Sequence, residues 1–258
     1  MASANPNQMS FFEHLDELRG RIFKTMILWA IVFAACFAYH SEIFAFLAAP
    51  YLGLNVGNSF TMFDAKEPFL ASLRASFWMS MILSSPLVFY HIWAFVAPGL
   101  TRREKLFAVP FLTFMALFFI GGCWFSFQQV FPIALDYLLS YHEGPNTVTR
   151  STYLSILFAL VMGMGVSFEL PLVIFFLARI GLVTPRFLIQ KFKYAVLIVF
   201  TIAAIITPTP DPWIQTFMAV PMLILYLLGV FAAWLVAKKP EKVDELEENR
   251  SLSERDER

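Results

Sequence analysis

The 258 residues are 59% hydrophobic and 15% charged, with 30 Phe, 8 Tyr and 6 Trp and a formal net charge of zero. A soluble domain averages about 25% charged residues, so this chain lacks the polar residues to clothe a water-facing surface. Intrinsic disorder requires low hydrophobicity, and a disulfide scaffold requires more than Cys36 and Cys123; a polytopic membrane protein remains.

A bilayer-spanning helix needs about 20 apolar residues, and six segments qualify or come close. They are about Ile22–Tyr39, Ala75–Val96, Leu106–Val130, Tyr153–Ala178, Tyr194–Ile206 and Ile214–Ala237. The fold class is therefore all-α, with six transmembrane helices. Before the first span, Ser10 and Glu13 form a capping box, and Phe11, Leu15, Leu18 and Ile22 make an apolar stripe at helical spacing. An amphipathic cytoplasmic helix with an acidic cap is expected there. The segment Met1–Arg21 lacks the apolar core of a cleavable signal, so the first span should be retained.

The first loop, Ser41–Arg74, carries its own apolar stretch from Ile43 to Leu54 and predicts short helices on the membrane surface, followed by a turn at Asn55–Ser59. Pro86 should kink the second span. The loop Asp136–Arg150 contains a turn signal at Gly144-Pro145-Asn146. The fifth span is the weakest, with 13 residues. It is kept as a true span because sixteen of the nineteen Lys and Arg then fall on one side, and the positive-inside rule puts both termini in the cytoplasm. Residues 1–237 form the membrane domain, and 238–258 a charged, solvated, disordered tail.

A few residues depart from the apolar background. Glu17 sits in the N-terminal segment, and Glu104 is a lone acid among Arg102, Arg103 and Lys105. Each is explained by local charge pairing or by the helix macrodipole. The functional alternative is that the two carboxylates meet on the cytoplasmic face and grip guanidinium groups through bidentate bonds. Glu169, in Gly165-Val166-Ser167-Phe168-Glu169-Leu170-Pro171, is the only acid deep within a span. Burial there costs several kcal/mol unless the group is paired or faces a wet cavity, which makes it a functional candidate, with a structural partner as the alternative. Thr207–Pro212 predicts a rigid outer turn, and Gln215 follows with an amide able to bond across helices. His14, His40, His91 and His142 lack metal-ligand spacing, and no P-loop, dinucleotide turn or nucleophile elbow is present, so no cofactor, metal or enzyme activity is expected.

Several segments together resemble the TatC family, the integral membrane subunit of the twin-arginine protein translocase. They are His14-Leu15-Asp16-Glu17-Leu18-Arg19, Ser84-Ser85-Pro86, Trp93-Ala94-Phe95-Val96-Ala97-Pro98-Gly99-Leu100, Glu104, the Gly165–Pro171 stretch, and Thr209-Pro210-Asp211 through Gln215. The resemblance covers about Ser10 to Ala237. It implies a protein of the cell inner membrane that recognises twin-arginine signal peptides on folded cargo, and that recruits single-span TatA-like and TatB-like subunits for export driven by the protonmotive force. Other copies of the chain are implied partners; nucleic acid is not. By the same resemblance, Glu17 and Glu104 receive the signal's arginines, and Leu18, Arg19 and Phe95 shape that site. Pro50 matches a functionally sensitive family proline. Glu169 is implied as a buried polar group on the concave face, and Asp211 and Gln215 belong to the partner-docking edge. The turn at Thr207–Pro212 departs from the Thr-Pro-Pro-Asp of the best-known members. A small proton-coupled secondary transporter using Glu169 is the competing reading; no inverted repeat links the two halves of the chain.

Overall fold

The structure is a computed structural model, and it describes residues 11–53, 60–96, 108–140, 148–207 and 211–236. The turns expected around residues 55–59, 144–146 and 208–210, the Ser10 cap, and the tail 238–258 lie outside the described residues, as does Glu104.

Every described element is helical apart from one isolated bridge between Thr61 and Thr149. In chain order the helices are α1 (Phe11–Ala38), α2 (His40–Leu52), α3 (Glu67–Val96), α4 (Ala108–Phe125), α5 (Phe131–Ser140), α6 (Arg150–Phe168), α7 (Leu170–Arg179), α8 (Pro185–Gln190), α9 (Phe192–Ile206) and α10 (Pro212–Val236). Among the described residues, five continuous stretches are long and apolar enough to cross a membrane: Leu18–Ala38, Glu67–Ala94, Pro110–Ser140, Arg150–Arg179 and Pro212–Val236. The sixth expected span, α9, has 15 residues, which at 1.5 Å per residue reaches about 22 Å, short of the roughly 30 Å hydrocarbon layer.

The outside of the bundle is as apolar as its core. Ile22, Met26, Ile27 and Ile31 on α1, and Leu197, Ile198 and Ile205 on α9, are all exposed. In water such surfaces would aggregate; against lipid they cost nothing, while helices keep every backbone group bonded. Close approach therefore has to come from small residues rather than from an inside-out contrast in polarity. A Cβ on Gly165 of α6 would fall 2.6 Å from Cys123 Sγ on α4, and one on Gly122 would fall 2.7 Å from the Phe168 ring. Gly229 of α10 is the tightest against backbone, since a Cβ there would lie 3.1 Å from Pro171 Cα and 2.7 Å from Ile174 Cδ1 on α7. Gly229→Val is expected to lower stability by about 2 kcal/mol through overpacking, read as a lower Tm of the detergent-solubilised protein. Gly121→Ala, which meets nothing within 4 Å, should leave Tm unchanged.

Helix α3 carries a row of buried serines, Ser76, Ser80, Ser84 and Ser85. Pro86 has no N–H to give the Ile82 carbonyl, and the Ser85 hydroxyl donates to that carbonyl instead at 2.7 Å. This substitution accounts for a helix that remains continuous from Glu67 to Val96 through the expected kink site.

Three expectations about boundaries change. The loop expected from Asp136 begins later, because α4 passes through a π-helical turn, Ser126–Val130, into α5, which ends at Ser140. The reason is burial: Phe131, Ala134 and Leu135 are covered by the bundle, and Phe131 packs edge-on against Tyr153 at 5.2 Å. The fourth span is not one helix but two, divided at Glu169. Pro171 follows two residues later, where its missing N–H is tolerated only in a first helical turn. Finally, α2 is not merely laid on the surface. Its Leu47, Ala48 and Tyr51 are buried, and the Tyr153 hydroxyl of α6 donates to the Leu47 carbonyl at 2.6 Å. Tyr51, Phe60 and Tyr153 form an aromatic cluster with centroids 4.9–5.7 Å apart that closes this end of the bundle.

Candidate functional site

The backbone of the described residues expected to form the peptide site runs to the opposite end. Helices α1 and α3 run antiparallel: the Ser76 hydroxyl meets the Cys36 carbonyl at 3.4 Å, and Phe37 packs on Phe69 at 6.3 Å. Their pairing therefore carries the backbone of Glu17, Leu18 and Arg19 toward the end of the bundle that Phe95 occupies, one residue before α3 stops. Leu18 is half-buried and Arg19 exposed. The Arg19 guanidinium lies over the Phe23 ring at 5.7 Å, one turn along, a contact that holds the charge at the helix surface. The side chains of Glu17 and Phe95 lie outside the description, as does all of Glu104. The meeting of the two carboxylates thus rests on the sequence.

Glu169 is fully placed. It occupies the turn between α6 and α7, with φ −75° and ψ −20°, and its carbonyl accepts from Val173 at 2.9 Å. The residue is 8% exposed, and neither carboxylate oxygen has a hydrogen-bond partner among the described residues. It is not among the side chains that line the neighbouring groove, although Val166, Ser167 and Leu170 are. In the chain, Glu169 therefore sits between two residues that line this groove, Ser167 and Leu170. A carboxyl so placed is costly, because its polar atoms have lost water without a hydrogen bond among the described residues to replace it.

Asp211 and Gln215 do recognisable local work. Asp211 caps α10, its Oδ1 accepting from the Trp213 amide at 2.7 Å. Its other oxygen accepts from the Tyr137 hydroxyl of α5 at 3.1 Å. The Gln215 Nε2 donates to the Phe200 carbonyl at 2.9 Å, which ties α10 to the short α9. Pro50 lies within α2, half-buried, rather than in an open loop.

Sequence reasoning missed Tyr153, Tyr137 and Arg74. The Arg74 Nη1 donates to the Ser151 carbonyl, to Ser151 Oγ and to Ser155 Oγ at 3.3, 3.1 and 2.8 Å. An arginine two turns inside an apolar helix was the available signal. No group of three or more potential metal ligands occurs among the described residues.

Residues 13–221 match the model of the family described as Sec-independent protein translocase protein (TatC). The chain belongs to the TatC family. It is 37% identical over 236 residues to the Sec-independent protein translocase protein TatC of Koribacter versatilis, covering 90% of this chain and 87% of that one. It is 35% identical to the TatC of Escherichia coli over 223 residues, covering 84% and 85%. Among solved structures, it superposes on the crystal structure of the twin arginine translocase receptor TatC with a TM-score of 0.78 at 32% identity, covering 88% of this chain and all of that one. As a TatC-family member, the chain is a membrane protein of a protein translocase, and transport of protein is the activity to which its apolar helices belong. The transporter reading gives way to this membership.

Proposed function

We propose that this chain is the receptor subunit of a twin-arginine translocase, set in the cytoplasmic membrane with six spans and both termini inside. The observation that carries the reading is the antiparallel packing of α1 on α3, which brings Glu17–Arg19 and Phe95 to the end of the bundle opposite α2. The partition of basic residues, sixteen to three, assigns that end to the cytoplasm. In this arrangement Glu17 and Glu104 accept the two guanidinium groups of a signal peptide. The planar fork of arginine matches a carboxylate in two parallel hydrogen bonds, and a lysine ammonium does not. The charge of the peptide supplies attraction, and the fork supplies the selectivity.

The short α9 completes the assembly. Its exposed Leu197, Ile198 and Ile205, held against α10 by Gln215, offer an apolar edge for single-span TatA-like and TatB-like subunits. Pro50 and Asp211 hold the outer end in shape for further copies and partners. The chain has no catalytic step of its own to perform in this scheme.

The test is photocrosslinking of the detergent-solubilised chain with a twin-arginine signal peptide, with a Lys-Lys version of the same peptide as competitor. The arginine peptide should crosslink near residues 17–19 and 95–104, and the lysine peptide should compete about tenfold more weakly. Equal competition would remove the carboxylate grip from the proposal.

A further inference from the structure

A groove of about 660 Å³ opens on the side of the bundle between α3, α6, α7, α9 and α10. Its wall is apolar for most of its length, from Trp78 and Phe158 past Met162 and Val166 to Ile202 and Met222. Arg74 and Ser155 stand at the end nearest α2. From Ser155 to Leu170 the groove follows α6 and the start of α7 over sixteen residues, about 22 Å along the axis, which exceeds the roughly 15 Å of hydrocarbon in one leaflet.

The guanidinium at its head is held but not neutralised. Nη1 makes the three bonds to Ser151 and Ser155, which leaves Nε and Nη2 outside them. The nearest described acid on the same helix, Glu67, spends its oxygens on the backbone amides of Ser151 and Phe63, at 3.3 and 3.4 Å. Three neutral oxygens therefore fix the position of a positive charge that lines the groove.

We propose that the groove binds one phospholipid, with its phosphodiester on Arg74 and an acyl chain against Phe158, Met162 and Val166. In the topology proposed above, this lipid belongs to the outer leaflet. The groove's volume is that of an ordinary small-ligand site, so it takes the phosphodiester and one acyl chain rather than the whole lipid. Chemistry argues for a lipid over a helix, since a phosphate takes two parallel bonds from a guanidinium, and a Leu-rich span offers no anion at this depth. A lipid seated here would cover the face behind which Glu169 lies buried.

The full chain, reconstituted in nanodiscs, would be photolabelled with phosphatidylglycerol carrying a diazirine on one acyl chain, and with diacylglycerol carrying the same chain. Label from phosphatidylglycerol should concentrate in peptides spanning residues 155–170 and exceed that from diacylglycerol about fivefold. Arg74→Gln should erase that difference, Arg74→Lys should keep part of it, and Ala159→Trp, which fills the groove, should reduce label from both lipids. Equal labelling by the two lipids on the unaltered chain, a measurement that needs no variant, would overturn the proposal. Loss of label on adding a single-span Leu-rich helical peptide would also overturn it, by assigning the groove to a helix.

Discussion

Glu169→Leu should make the purified protein more stable and leave it unable to support transport. The buried carboxyl is 8% exposed, and its two oxygens have no hydrogen-bond partner among the described residues. A buried polar group left unsatisfied costs about 1–3 kcal/mol, and replacing it with an apolar side chain of similar volume removes that cost, as with apolar replacements of buried ionic groups in general. A gain of this size would appear as a higher Tm in detergent. Retaining a destabilising group inside a membrane span points to a role that the resting structure does not satisfy, such as a bond made only when a partner or a signal helix arrives. Twin-arginine peptide binding should therefore persist in Glu169→Leu, because that site lies at the end of the bundle, while cargo transport fails. Glu169→Gln separates charge from hydrogen bonding, since the amide keeps polar donors and acceptors without ionising. Normal transport by Glu169→Leu would remove this residue from the mechanism.

The second large effect belongs to the double variant Glu17→Gln, Glu104→Gln. Hydrogen bonds to a charged group contribute about 1.5–3 kcal/mol, so losing the charge from both carboxylates should weaken twin-arginine peptide binding by at least about tenfold. Titration calorimetry or crosslinking yield would read it. Glu17 precedes the apolar span that begins at Leu18, so Tm should stay within the error of the unaltered chain. Added salt should weaken the unaltered chain's binding more than the variant's, because part of the attraction is exposed and screened. Undiminished peptide binding by the double variant would exclude the two carboxylates as the arginine receptors.

The sequence was most legible where a single physical requirement operates. Apolar runs of about 20 residues located five spans because lipid admits little else. Glu169 stood out because charge is rare at that depth. Legibility failed where the outcome depended on a neighbour. The end of α5 moved to Ser140 because Phe131, Ala134 and Leu135 found cover on α2 and α6. The sequence marked Pro86 in the second span, but not that the Ser85 hydroxyl would bond the Ile82 carbonyl the proline leaves free. Arg74 went unremarked because its role lies in three oxygens on a helix 77 to 81 residues away.

Composition and the sorting of charge by loop thus determined, without coordinates, that the chain is an all-helical membrane protein, and they marked Glu17, Glu104 and Glu169 as its unusual acids. Those inferences rest on transfer from water to lipid, which each segment undergoes largely on its own. Only the tertiary structure decided that α1 and α3 run antiparallel, that α2 plugs one end, that Glu169 is buried beside the groove without a hydrogen bond among the described residues, and that Arg74 lines that groove. Each of those depends on which surfaces come within a few ångströms of each other, and pairwise contact between distant segments leaves no periodic trace in a single chain.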